Sequence, residues 1–177
     1  LKTYIICEDG EQNVWLIDKH AAHERMNFDR MASDPPAVMR QRLLQPQTAE
    51  LSREDTALLL EHRPLLEELG FSLEDFGGGA LLVREIPADL APGELHAALD
   101  SVSAHLRRGS DPAGRREALL RTLACKSAIK GGWKSDLSEL QVLVEKVQQG
   151  QIRYCPHGRP VAVKLSRYQI ERLFKRA

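Results

Sequence analysis

Thr3-Tyr4-Ile5-Ile6-Cys7-Glu8, then Asp9-Gly10, then Asn13-Val14-Trp15-Leu16-Ile17 ending at Asp18, form the stretch that decides how the fold begins. Both runs are rich in β-branched and aromatic residues, and Asp-Gly between them is a turn dipeptide, so the spacing predicts a hairpin. Helix-favouring residues follow from Ala21 to about Met31, and Asp34-Pro35-Pro36 stops them because proline supplies no amide hydrogen. A hairpin followed by one helix cannot bury its own apolar face, so this segment needs partners from further along the chain.

Beyond a linker, Ser52-Arg53-Glu54-Asp55 resembles a capping box and opens an amphipathic helix to about Leu69, with a kink at Pro64 and a stop at Gly70. Strands over 71–76 and 80–86 are joined by Gly77-Gly78-Gly79, and a helix from about Pro92 to Arg108 completes a helix–hairpin–helix block. Gly109-Ser110-Asp111-Pro112-Ala113-Gly114 reads as a second linker. After it come helices over Arg115 to Lys130 and Asp136 to Gln149, a strand over Val161 to Leu165 and a helix over Tyr168 to Lys175. Residues 31–110 carry 7 basic and 13 acidic side chains, whereas the flanks carry 18 and 12, so composition shifts at both linkers. The expected fold class is α+β. Residues 1–40 and 111–177 would make a sheet-and-helix lobe from both chain ends, with 41–110 inserted as a separate lobe.

The 177 residues are 42% hydrophobic and 28% charged, which excludes a disordered chain. Apolar runs such as Ala57 to Leu60 fall far short of the roughly 20 residues a membrane-spanning helix needs, so no membrane partner is expected. The start at Leu1, without Met or a leader pattern, reads as a fragment of a longer protein. Zero net charge conceals an asymmetry. Residues 1–110 hold 11 cations against 19 carboxylates, and residues 111–177 hold 14 against 6, a basic end that suits a phosphate backbone. Three cysteines, Cys7, Cys125 and Cys155, make no paired disulfide framework and point to metal ligation or core packing in a reducing cytosol.

Asp18, His20, His23 and Glu24 sit where a strand gives way to a helix, and His20 and Glu24, four apart, share a helical face, the spacing for two ligands to one cation. Asp29, five beyond Glu24, is less well aligned; a plain charged helix start with Asp18 as its cap is the competing reading. Cys155-Pro156-His157 reads as an extended segment that puts sulfur and imidazole on one side, a pairing that suits zinc, or else as a packed loop. Gly158-Arg159-Pro160 then turns the chain and leaves Arg159 to grip a phosphate or carboxylate. Cys125, among small residues on a helix, reads as core on its own.

Asp18-Lys19-His20-Ala21-Ala22-His23-Glu24, with Asp29 beyond, resembles the D-Q-H-A-x-x-E-x-x-x-x-E endonuclease motif of the MutL family of DNA mismatch-repair proteins. Ala124-Cys125-Lys126-Ser127-Ala128-Ile129-Lys130 is similar to that family's A-C-x-x-A-I-[KR] helix, and Cys155-Pro156-His157-Gly158-Arg159-Pro160 matches its C-P-H-G-R-P. Gln41-Arg42-Leu43-Leu44-Gln45-Pro46 resembles its Q-x-[LM]-[LI]-x-P clamp-docking segment. The resemblance spans a whole bacterial C-terminal domain and implies an α+β homodimer with an inserted regulatory lobe. It implies nicking of double-stranded DNA, with Asp18, His20, Glu24, Cys125, Cys155 and His157 as metal ligands, zinc as the tightly bound ion and manganese or magnesium supporting cleavage. Asp18, His20, Glu24 and Asp29 would be catalytic and Arg159 would face DNA. Gln41, Leu43, Leu44 and Pro46 would bind the sliding clamp, and the mismatch-recognition protein MutS would be met through the full-length protein in a bacterial, nucleoid-associated cytoplasm. Lys19 stands for the motif's Gln and Asp29 for its final Glu. A non-catalytic dimerisation and DNA-binding module with a structural zinc is the alternative, and a zinc-binding regulator unrelated to DNA a more distant one. On the residues alone, dimerisation would use exposed apolar faces near Trp15 or Trp133.

Overall fold

The computed structural model describes residues 3–33, 38–108, 112–128 and 136–176. The expected helix stop at 34–36, the first half of the second linker at 109–111, and Ile129, Lys130 and Trp133 lie outside the described residues. The fold is α+β, and the chain divides into two compact units, Leu1–Asn27 with Ala128–Ala177, and Phe28–Ser127.

In the first unit β1 (Tyr4–Glu8) and β2 (Val14–Asp18) form the hairpin, and β6 (Ala162–Leu165) adds to the other side of β2 in a three-stranded antiparallel sheet. The turn is tied by Asp9. Its carboxylate accepts from the Glu11 and Asn13 amides and, at 2.9 Å, from Trp15 Nε1, while Lys164 Nζ lies 3.2 Å away. The Trp15 bond, then the Asn13 amide and Lys164, hold the Asp9 carboxyl far below the usual carboxylate range, so the turn keeps this support until strong acid. Strand alternation sends Ile5, Cys7, Trp15 and Ile17 to one face, where Ala21, Ala22, Leu143, Val147, Ile152 and Val161 close the core. The same alternation puts Tyr4, Ile6, Leu16 and Val163 on the opposite face, exposed; Ile6 is paired across to Leu16, and Leu16 to Val163. Trp15 thus faces inward, and the apolar surface of this hairpin is the other one. Helix α6 (Leu137–Gln148) is capped by Asp136, and α7 (Arg167–Leu173) starts with a full capping box from Ser166 and Gln169.

The second unit holds a sheet in the order β3 (Arg40–Glu50), β5 (Ala80–Pro87), β4 (Ser72–Gly77), covered by α2 (Arg53–Glu61), α3 (Arg63–Glu68) and α4 (Leu95–Arg107), the last preceded by a 3-10 turn Pro92–Glu94. The expected kinked helix is two helices meeting at His62, with Pro64 in the first turn of the second, where its missing N–H costs nothing. Gly70, at φ +94, ends it, in a conformation that side chains with a Cβ disfavour. The insertion is wider than 41–110. Met31 from α1 (Lys19–Ser33) and Leu119, Leu120 and Leu123 from α5 (Pro112–Lys126) are buried in its core, so the boundaries move into those helices.

Residues 40–50, expected as linker, are the strand β3. Their polar side chains and Pro46 hide the pattern; pairing with β5 makes the strand, and the register shifts between Arg42 and Gln47, where Pro46 forfeits no ladder bond. The clamp-like segment is therefore not a free extended hexapeptide. Gln41 Nε2 donates to the carbonyls of Pro87, Ala88 and Leu90, Leu43 packs on the core, and Arg42, Leu44, Gln45 and Pro46 stand exposed. Leu99 lies fully buried at the centre of this unit. Leu99→Ala is expected to cost about 2–5 kcal/mol in urea unfolding followed by circular dichroism, and a loss under about 1 kcal/mol would contradict the packing.

Candidate metal centre

Helix α1 begins at Lys19, two residues before the expected start, because Asp18 caps it: Asp18 Oδ1 accepts the Ala21 amide at 3.0 Å. The Asp18 amide donates to the Val161 carbonyl at 2.8 Å, which ties the end of β2 to the chain just before β6. That chain is a small hairpin. Val161 N–H bonds Arg153 O, Tyr154 bridges Pro160, Cys155 N–H bonds Arg159 O at 2.9 Å, and Gly158 N–H returns to Cys155 O at 2.9 Å. Cys155-Pro156-His157 is thus a tight turn and not an extended segment, closed by Gly158 at φ +81, which glycine adopts without penalty. The turn sinks Cys155 to 1% exposure and leaves the His157 side chain 47% exposed.

Glu24, one and a half turns into α1, is fully buried, and His157 Nδ1 lies 2.9 Å from its Oε1. Neither Glu24 oxygen accepts a hydrogen bond of acceptable geometry. With one half-exposed imidazole as its close neighbour, the lost hydration of this buried carboxylate is poorly compensated, and a cation could supply the missing partner. Ligand atoms of Glu24, Cys155 and His157 all lie within 4.8 Å of one another. One sulfur, one imidazole nitrogen and one carboxylate oxygen are a donor set that would suit zinc.

Arg159 crowns this group. Its guanidinium lies beside the Cys155 sulfur and in the field of Glu24 and Asp18, which raise its pKa further above the usual value. Asp18 and half-buried His20 stand outside the three-residue cluster, Asp18 serving as helix cap. Asp29 on α1 and half-buried Cys125 on α5 belong to the other unit. Lys19, quoted only as a departure from the motif, is 5% exposed, a burial that its sequence neighbours do not signal. In chelator-treated protein, Glu24→Met is expected to raise stability by about 1–3 kcal/mol in urea unfolding, since the contact with half-exposed His157 compensates a fully buried carboxylate poorly; a loss of stability would mean that the carboxylate is well satisfied without a metal.

A family model described as the MutL C-terminal dimerisation domain matches residues 1–135. Proteins named DNA mismatch repair protein MutL are similar over nearly the whole chain. Those of Geotalea daltonii and Geobacter sulfurreducens are 37% and 38% identical over 98% of this chain, and that of Acidiphilium cryptum 36% over 99%. The chain spans about 30% of the length of these relatives, 30% of the first two and 31% of the third. The family model ends before Cys155, whereas the relatives' similarity runs through the hairpin that carries it. With the family model matched over three quarters of its length, this chain belongs to the MutL C-terminal dimerisation domain family.

Proposed function

We propose that the chain is a metal-dependent nicking endonuclease of DNA mismatch repair, hydrolysing a phosphodiester bond of duplex DNA, and that it works as a homodimer. The observation that carries the first part is the fully buried carboxylate of Glu24, neither of whose oxygens accepts a hydrogen bond, set within 4.8 Å of ligand atoms of Cys155 and His157. Those three side chains would hold zinc. Manganese or magnesium, which favour oxygen, would draw on the carboxylates of Asp18 and Glu24. Bound there, a cation supplies polarisation of the phosphate and a more acidic attacking water. The chain's own residues supply the rest. Asp18 fixes the first turn of α1, on which Glu24 is carried. Exposed Arg159, already next to the anionic group, would receive a phosphate oxygen, and half-exposed His157 leaves the site open to a large polymer.

The dimer reading rests on the uncovered sheet face. Ile6, Leu16 and Val163 form a row across three strands, 61%, 36% and 53% exposed, with Tyr4 beside them at 44%. A sheet whose two faces are both apolar buries one on its own helices and the other on a partner, and a second copy presents the same row in a twofold contact. The exposed bulge at Leu44 to Pro46 is the part of β3 left to meet a sliding clamp, and MutS would be met through the full-length protein.

Asp18→Asn is expected to abolish manganese-dependent nicking of supercoiled plasmid while circular dichroism stays unchanged; full activity would overturn the assignment. If the parent chain binds zinc and nicks nothing, the non-catalytic alternative holds. Ile6→Glu with Val163→Glu is expected to turn a dimer into a monomer in sedimentation velocity, and a persistent dimer would exclude this face.

A further inference from the structure

Residues 151–176 hold seven cations, all exposed, against one carboxylate, Glu171. Three of the seven are partly compensated. Lys164 lies 3.2 and 3.6 Å from Asp9 and Glu11, Arg167 lies 2.8 Å from Glu171, and Arg159 faces the metal cluster. Arg153, Arg172, Lys175 and Arg176 have no carboxylate partner among the described residues.

Arg153 and Arg159 precede the edge strand β6, Lys164 lies on it, and Arg167, Arg172, Lys175 and Arg176 lie on α7 and just past its end. The hairpin with Arg153 and Arg159 leads into β6, which pairs with β2 on one side and with nothing on the other among the described residues. At about 3.3 Å per residue β6 carries the chain roughly 13 Å to Ser166, the cap of α7. There Arg167 Nη1 donates to Gln12 Oε1 at 3.0 Å, fixing α7 beside the β1–β2 turn, at the opposite end of the sheet from Asp18. Beside the hairpin and the start of β6 lies an open cleft of about 410 Å³ lined by Trp15, Gln148, Arg153, Tyr154 and Pro160, and Lys164 Nζ lies 5.2 Å from the Trp15 ring. The hairpin is two-sided. Cys155 and Arg159, paired across it, turn to the metal cluster, while Tyr154 and Pro160, the next pair out, line the cleft.

We infer that this edge, from Arg153 past Lys164 to Arg172, Lys175 and Arg176, is the track along which the phosphate backbone of duplex DNA leaves the metal centre. The inference rests on the endonuclease reading for its direction, not for its charge. The roughly 13 Å of β6 equals about four base-pair rises of 3.4 Å along a duplex axis, so cations at its two ends are spaced for one short run of backbone. Duplex backbone is the occupant because the unpaired strand carries a lysine and is flanked by arginines, a pattern that repels an added β-strand and attracts a polyanion.

The test reverses Arg172, Lys175 and Arg176 to Glu and follows binding of a fluorescein-labelled random duplex by anisotropy over a range of potassium chloride, beside a control chain with Arg53→Glu, Arg63→Glu and Arg108→Glu, exposed cations of the other unit. The strip variant is expected to bind more than about tenfold more weakly at low salt, with the slope of log K against log salt smaller by about 2 to 3 units, and the control to keep the parent's slope within about 1 unit. An unchanged slope with nicking intact, an equal loss in the control, or loss of binding to phosphatidylserine vesicles with duplex binding kept would each overturn the track. A parent chain that binds duplex through the strip yet nicks nothing would sink the endonuclease reading and leave the track standing.

Discussion

A carboxylate sealed from water with neither oxygen hydrogen-bonded is a liability that a fold keeps only for a return, and Glu24 is the group around which the first unit is arranged. Its position follows from three local constraints. Asp18 starts α1 directly at the end of β2, so Glu24 comes round on the buried side of the helix. The Asp18 amide holds the chain before β6 alongside, and the glycine-closed turn at 155–158 sets sulfur and imidazole against the carboxylate. Each of these is a backbone hydrogen bond or a cap, so the ligand atoms are placed by rigid elements and not by a mobile loop.

The same hairpin that delivers Glu24 gives the unit its other surface. Strands with apolar residues on both faces spend one on α1 and α6 and leave the other uncovered. Asp9 keeps the turn of that hairpin closed through Trp15, Asn13 and Lys164, so the sheet on which both surfaces depend is anchored at its far end by one carboxylate.

Much of this was legible in the residues. Asp9-Gly10 between β-branched runs marked the hairpin, Ser52 and Asp136 marked helix starts, and the triple glycine marked the β4–β5 turn. β3 was not legible, because a strand built of Gln, Arg and Pro acquires its conformation from β5 and not from its own pattern. For the same reason Gln41, readable as a docking residue, serves as an internal clasp on three carbonyls. At the candidate site the residue types spoke for metal chemistry, but spacing could not say which would meet. Glu24 and Cys155 are far apart in sequence, and their approach depends on the Asp18–Val161 bond, a tertiary contact. Cys125 and Asp29, which the resemblance groups with them, sit on helices whose buried leucines and methionine belong to the other unit's core.

The most direct measurement is anomalous diffraction at the zinc edge from crystals of the chain grown with equimolar zinc. The account predicts an anomalous peak in contact with the Glu24 carboxylate, the Cys155 sulfur and the His157 ring. A fully loaded peak elsewhere, with the Glu24 oxygens hydrogen-bonded to protein groups instead, would contradict it.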